Sequence, residues 1–511
     1  MPCQLVWFKR DLRCQDHQPL LEAARHGQVL CLHVIEPGYW SGSDVSARHY
    51  GFLRESLRDL SADLRAHGLT LHVVQGDVLE VLRHLHRTVG LSAIHAHEET
   101  GNAWTFARDR AVRAWCREQG VTCREYRQFG VFRGLADRDH WLRGWEAQMS
   151  VPCHQLPDVI TGDTRPELVR PLPSATRLGL PDEDAPGRQH GGRHAADAVL
   201  ASFLTERSAS YRGGISSPLS APTACSRLSP YLAWGCLSLR EVVQATRAQQ
   251  ARLPPDAAFQ RRGLDAFVSR LYWHCHFIQK LESEPELEWR NLHRGYDGLR
   301  EADWQPAHFT ALVEGRTGWP LVDACVAMLR HTGWINFRMR AMLVSVAAYP
   351  LWLHWRPVGE WLARQFVDYE PGIHWSQLQM QSGTTGINIP RIYNPIKQAR
   401  DHDPQGRFVR RWLPALRQLP DAWLFEPWRL PESLQQRYGL RVGHELPMPV
   451  VDLEQATRLA RQRLYERRGD PEVRAAKAAV ITRHGSRQRP AARNRASASR
   501  PDTRHQMELP L

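Results

Sequence analysis

The chain is short of the features that mark secreted, membrane-spanning or dinucleotide-binding proteins. None of its ten cysteines stands in a C-x-x-C pair, so a cytoplasmic protein with reduced thiols is the simplest expectation. The opening stretch MPCQLVWFKRDLR passes from a strand-like run straight into charges, without a signal-peptide pattern. The longest apolar run, AMLVSVAAYPLWLHW over 341–355, is short for a bilayer span, contains Pro350 and follows Arg340 directly. A buried helix is expected there, and no membrane association. No G-x-G-x-x-G follows the first strand-like run, so the dinucleotide fingerprint is absent, as is any internal repeat. Acidic residues are also in deficit: 54 Asp and Glu stand against 67 Lys and Arg, a formal charge of +13, with a pI of about 9.5. That balance favours an anionic partner, nucleic acid first. Part of the excess lies in residues 467–511, where eleven Lys and Arg meet four Asp and Glu.

What is present divides the 511 residues into parts, and the length allows two or more full cores. Over 1–130, the β-rich runs CQLVWF, QVLCLHVI, LTLHVV, LSAIHAH and GVTCREY alternate with helical stretches such as SARHYGFLRESLRDLSADLRAHG. This alternation predicts a doubly wound parallel sheet. Residues 131–195 read as an interdomain connection, whose later part is rich in Pro, Gly, Asp and Arg and has lost periodicity. Residues 196–466 are almost wholly helical in pattern and hold most of the nineteen tryptophans. From 467 to 511 an Arg/Ala/Ser/Pro-rich tail is expected to lose order.

Three stretches carry chemistry. CSRLSPYLAWGCLSLREV (225–242) sets Ser226, Arg227 and Ser229 just before a helix with Pro230 in its first turn. Such a helix start caps through hydroxyls and suits a phosphate; the preceding YRGGISSP adds Tyr211 and a glycine-rich loop. HCHF (274–277) has two histidines two apart, which point to different sides of a helix, so no metal is expected. HTGWINFRMRAML (331–343) sets Arg338 and Arg340 in an apolar, helix-like run with no carboxylate within four residues. A buried cation needs a partner, so either this segment is exposed or a distant group neutralises it.

VWFKRDLRCQDHQPL (6–20), SRLSPYLAWG (226–235), GRTGWPLVDACVAMLRHTGWINFRMRAML (315–343) and RIYNPIKQ (391–398) together resemble the DNA photolyase/cryptochrome family, in the family's order and spacing. The resemblance covers about residues 3–485. It implies an N-terminal α/β domain able to hold an antenna chromophore, of a kind the sequence does not name, and a helical domain holding FAD. It implies FAD contacts at Tyr211, Ser226, Arg227, Leu228, Ser229, Trp273, Arg340, Asp368, Tyr369 and Glu370, with Arg340 and Asp368 facing the ring. Gly372, Ile373 and His374 all fall near flavin N5. An electron-transfer chain falls on Trp304, Trp355 and Trp375, outer to inner. DNA or substrate contacts fall on Arg270, Phe337, Arg338 and Gln398, with Arg391 and Lys397 beside Gln398. The expected activity is light-driven repair of a pyrimidine dimer flipped out of DNA by a monomer.

The chain also departs from the family. Arg270 stands where dimer-repairing members carry a Glu, Phe337 and Ala341 replace an Asn and a Met, and Leu378 replaces a second pocket tryptophan. Cys225 replaces a Thr and Glu370 an Asp. The paired histidines of the (6-4) branch and the four late cysteines of the iron–sulfur branch are missing. These changes make a cryptochrome-like photoreceptor, keeping FAD and the tryptophans, the rival to repair.

Overall fold

The computed structural model describes residues 2–135, 137–163, 171–181, 184–387 and 389–485. Five strands, β1 Cys3–Phe8, β2 Gln28–Ile35, β3 Leu71–Gln75, β4 Leu91–His97 and β5 Thr122–Tyr126, form one sheet. Their order is β3-β2-β1-β4-β5, and every pairing is parallel. All five runs expected from the sequence are strands. The inner strands are buried at nearly every position because both faces are covered. On one face Val6, Phe8 and Cys31 pack with Leu20 and Leu57 from the helices Gln18–His26 and Ala47–Ala66. On the other, Leu5, Leu30 and Leu32 pack with Leu82 and Trp115 from Val78–Val89 and Ala103–Gln119.

The first of these cores does not stop at the sheet. It runs on through Tyr231, Trp234, Phe267 and Tyr272 of the helical part. The connection supplies part of it: Trp141–Ser150, inside the stretch expected to be linker, is a helix whose Trp141, Trp145 and Met149 are buried there. Residues 164–170 and 182–183 of the connection lie outside the described residues. A second core gathers the helices Pro320–Thr332, Phe337–Ala348, Trp355–Gln365 and Pro371–Ser382. The apolar run at 341–355 is buried as expected, and among the described residues no helix is long and apolar enough to cross a membrane.

The end of the chain corrects one expectation. Order does not fade at 467: the helix Leu453–Gly469 is followed by another, Pro471–His484. Three contacts hold the second helix down. Val473 is buried and its carbonyl accepts from His293 Nε2 at 2.9 Å. His484 lies 2.8 Å from Glu284, and Arg483 donates to the Ser283 carbonyl. Its Ala- and Arg-rich composition hides a helix kept in place by a few specific anchors. Residues 486–511 of the expected tail lie outside the described residues.

The longest helix, Ala258–Ser283, passes close to Ser208–Gly214, and Gly263 is the reason it can. A Cβ at Gly263 would meet the Ser208 carbonyl oxygen at 1.9 Å and the Tyr211 Cβ at 3.5 Å. Gly263→Ala is therefore expected to destabilise the protein by about 1–3 kcal/mol through overpacking, seen as a lower midpoint in thermal unfolding.

Candidate functional site

Residues 225–229 form a loop held from outside by arginine. Arg207 donates Nη1 to the Cys225 carbonyl and Nη2 to the Ser226 carbonyl, the latter at 3.2 Å, and Gln189 donates to the Arg227 carbonyl at 2.9 Å. Neither residue was singled out by the sequence, because both act through backbone oxygens. Arg227 has φ of 62°, a left-handed conformation uncommon for a side-chain-bearing residue and usual at functional sites. Its guanidinium lies 3.8 Å from the Trp334 ring centroid, and burial lowers its pKa to about 10. The helix that follows, Ser229–Ala233, is a single turn without a side-chain cap bond. The capping role expected of Ser226 and Ser229 is thus not used, and neither hydroxyl has a protein partner among the described residues. Leu228 is buried beneath them. Tyr211 is close by; burial raises its phenol pKa, and a hydrogen bond from Arg270 opposes that rise. Arg270 therefore points to the Tyr211 side of the site.

The cation within the apolar run has its partner. Arg340 Nη2 donates to Asp368 Oδ2 at 2.7 Å, with the Asp368 side chain 3% exposed and that of Arg340 26%. Arg340 Nε donates to the Ile335 carbonyl at 2.8 Å, and its guanidinium lies 4.0 Å from the Phe366 ring centroid. One carboxylate oxygen is left over: Asp368 Oδ1 is buried with no partner. Asn336 Oδ1 and Trp273 Nε1 are likewise buried and unpartnered. A buried polar atom left unpaired costs about 1–3 kcal/mol, so the spare oxygen of Asp368, on the carboxylate that pairs with Arg340, is where a polar ligand would be met. A flavin dinucleotide, with ring carbonyls, ring N–H and a pyrophosphate, fits this donor and acceptor set. Asp368 and Arg340 would hold the ring; Ser226, Ser229 and Arg227 would hold the phosphates.

Two expected ring-lining residues turn elsewhere. The Tyr369 hydroxyl donates to Asp44 Oδ2 at 2.7 Å, in the sheet domain. Glu370 Oε2 lies 3.5 Å from Arg10 Nη2. Burial pushes the Glu370 carboxyl up to about 7 against the opposing charge of Arg10, whose Nε and Nη2 donate to the Ala233 and Tyr369 carbonyls. Of the three residues expected near flavin N5, Gly372 is pressed against Ile278, where a Cβ would meet Ile278 Cα at 2.6 Å. His374 hydrogen-bonds the Gly359 carbonyl through Nε2 and packs edge-on to Tyr369 and Trp375. Burial lowers its pKa to about 4, so the ring is neutral near pH 7.

The indoles form a partial chain. Trp375 and Trp355 are buried with ring centroids 5.9 Å apart at 69°. Trp355 Nε1 donates to Asn291 Oδ1 at 2.8 Å, whereas Trp375 Nε1 is unpartnered. Trp304 is partly exposed and packs on Phe309 at 5.2 Å. Trp273 stacks on Phe277 at 5.6 Å and meets His276 edge-on.

The expected DNA contacts are less accessible than a surface role requires. Gln398 is 1% exposed with its side-chain oxygen unpartnered, so it lies beneath the surface. Arg338 lies near His402, whose pKa falls to about 4 through burial and this cation. Phe337 opens the helix Phe337–Ala348 and is partly buried. Leu378 is core, packed with Trp355 and Trp375. Lys397 is exposed and paired with Asp401 at 2.9 Å.

In HCHF, His274 packs on Phe129 and His276 meets Arg138, so the two rings are apart. A different cluster, Asp11, His17 and His97, brings three ligand-type atoms together among the described residues. His17 Nδ1 accepts from the Leu20 N–H at 3.1 Å, which leaves the proton on Nε2, donated to Asp11 Oδ2 at 2.9 Å. His97 Nδ1 meets the same oxygen at 2.7 Å. Burial works to raise the Asp11 carboxyl, but these two bonds hold it well below the usual range. The cluster is a satisfied hydrogen-bond triad tying the β1–α connection to β4.

The chain is similar to known proteins over most of its length. A family model for DNA photolyase matches residues 4–132, and one for the FAD-binding domain of DNA photolyase matches residues 267–466. The chain is 29% identical to a cryptochrome DASH of Gloeobacter violaceus, over 92% of this chain and 99% of that one. It is 28% identical to a deoxyribodipyrimidine photo-lyase of Streptomyces griseus, over 89% and 98%. A class III photolyase structure from Agrobacterium tumefaciens superposes with a TM-score of 0.78 at 25% identity, covering 92% of this chain and 98% of that one.

Asp368→Ala removes the carboxylate from Arg340 and is expected to abolish flavin retention, followed by flavin fluorescence on titration of the apoprotein. Asp368→Asn, keeping one acceptor, is expected to weaken it less. The raised Glu370 pKa means the folded state holds that proton more tightly than the unfolded state. Its contribution therefore falls as pH rises from about 4.5 through about 7. In chemical denaturation of the apoprotein, Glu370→Gln should gain stability relative to the parent across that interval.

Proposed function

Because the chain belongs to the DNA photolyase/cryptochrome family and carries its FAD-binding domain, we propose that it is a light-driven DNA repair enzyme acting on pyrimidine dimers. Bound FAD would supply the chemistry: in its reduced form it absorbs blue light and lends an electron to the dimer, which splits and returns it. The observation that carries this reading is the buried Asp368 carboxylate, paired with Arg340 and left with a spare oxygen. The protein's own part is positional. Arg340 and Asp368 orient the ring, the 225–229 loop fixes the phosphates, and the buried Trp375–Trp355 pair offers a route for electrons from outside. Trp273, Arg270 and Phe337 would meet a base turned out of the duplex. The net charge of +13 supports salt-dependent attraction to DNA.

One observation favours a photoreceptor instead. Arg270, at the position of a base-contacting carboxylate in dimer-repairing relatives, hydrogen-bonds Tyr211. Its guanidinium is thus engaged at the flavin end of the site.

Illuminating reduced holoprotein with an oligonucleotide carrying a thymine dimer separates the two readings. Recovery of the ultraviolet absorbance of the bases is expected; normal light-driven flavin reduction without that recovery would favour the receptor. In either case Trp375→Phe should keep bound FAD and slow its photoreduction by about tenfold or more, equivalent to about 1.4 kcal/mol or more added to the barrier.

A further inference from the structure

A parallel sheet of order β3-β2-β1-β4-β5 has its ligand crevice outside the carboxyl ends of β1 and β4, where the crossovers part to opposite sides. That is where a second, light-gathering chromophore of the family's N-terminal domain would be sought. In this chain Trp7, Lys9, Arg10, Glu36, Glu99 and Arg108 wall the crevice, and it encloses about 40 Å³. A space of that size takes a few waters; sites for planar chromophores run to about 300 Å³ or more.

Side chains have taken the room. Lys9 Nζ and the Arg108 guanidinium each lie 4.9 Å from the Trp7 ring centroid. Arg108 reaches Glu99 at 2.6 Å, Asp109 at 2.9 Å and Glu36 at 3.0 Å, and Lys9 reaches Asp109 at 2.8 Å. Each of these cations has its carboxylates, so a ligand would have to break ion pairs to enter. Burial disfavours the Arg108 charge, yet the three carboxylates hold its pKa well above the ordinary value.

Arg10 leaves this cluster toward the flavin cavity. Its Nε donates to the Ala233 carbonyl at 2.8 Å, its Nη2 to the Tyr369 carbonyl at 2.7 Å, and it lies over Trp234 at 5.3 Å. Ala233 closes the turn that begins at Ser229, and Tyr369 adjoins Asp368. One guanidinium thus spans the two segments assigned to the phosphates and to the ring.

We infer that the switch-point crevice of this chain is a charge lock with no second chromophore, and that Arg10, beside it, is a positioning residue setting the distance between the 225–233 and 366–370 segments. The inference rests on the FAD reading above.

The test uses holoprotein purified in dim light and denatured to release its chromophores. One FAD per chain and no second chromophore in comparable amount are expected; a second one at one per chain overturns the lock. Arg10→Met should weaken FAD binding about tenfold, the worth of one charge-assisted hydrogen bond. It should also alter the shape of the flavin's visible absorption band, with Arg10→Lys restoring part of both. Unchanged affinity and spectrum in Arg10→Met overturn the positioning role. Should that variant not fold, Arg10→Lys and the chromophore count on the parent still decide. Parent protein that retains no FAD overturns the functional reading itself, an outcome distinct from either failure of the lock.

Discussion

A guanidinium cannot be left bare inside a helical core, and that constraint organises the larger half of this molecule. Arg340 sits on a helix that is apolar except for Arg338 and Ser345, and its carboxylate lies 28 positions further on, beyond the next helix. The turn carrying Asp368 must therefore come back onto that helix. The Val367 N–H bonds the Gly333 carbonyl, and the Trp234 indole bonds the Val367 carbonyl. From the other domain His49 reaches the Phe366 carbonyl at 2.7 Å and Arg48 the Gln365 carbonyl at 3.0 Å. A single ion pair so fixed from several sides leaves one buried carboxylate oxygen without a protein partner among the described residues.

The same molecule treats two concavities in opposite ways. In the helical part, acceptors and hydroxyls are left unpaired, and a loop keeps a left-handed arginine, so polar capacity is held in reserve. At the carboxyl ends of β1 and β4, Lys9, Arg108, Glu36, Glu99 and Asp109 satisfy one another and nothing is held back. The contrast is physical: paired buried charges are stable only while their partners stay, whereas unpaired polar atoms are tolerable only where a partner arrives.

Much of the architecture was readable from residue patterns, since strands covered on both faces must be apolar throughout and their alternation with helices admits few topologies. The anomaly at Arg340 was readable for the same reason: a cation among Trp334, Ile335, Phe337 and Met342 contradicts its surroundings. The identity of its partner was not, because no spacing rule links positions so far apart; the family resemblance located it. Side-chain direction was the least legible. Tyr369 and Glu370 follow Asp368 directly yet face the sheet domain, drawn by Asp44 and Arg10. Arg10, Arg207 and Gln189 escaped notice because they grip carbonyl oxygens, which every residue has. The helix Pro471–His484 escaped because its anchors, His293 and Glu284, are distant in sequence.

The surroundings of the indole nitrogens bear on how an oxidised site would behave. Trp355 gives its N–H to the side-chain oxygen of Asn291, an amide far too weakly basic to take the proton, and the buried Trp375 N–H has no acceptor among the described residues. If these indoles carry electrons as proposed, a hole on either inner ring would keep its charge, and with it its mobility. Of the three, only Trp304 is partly exposed, so there water could accept the proton.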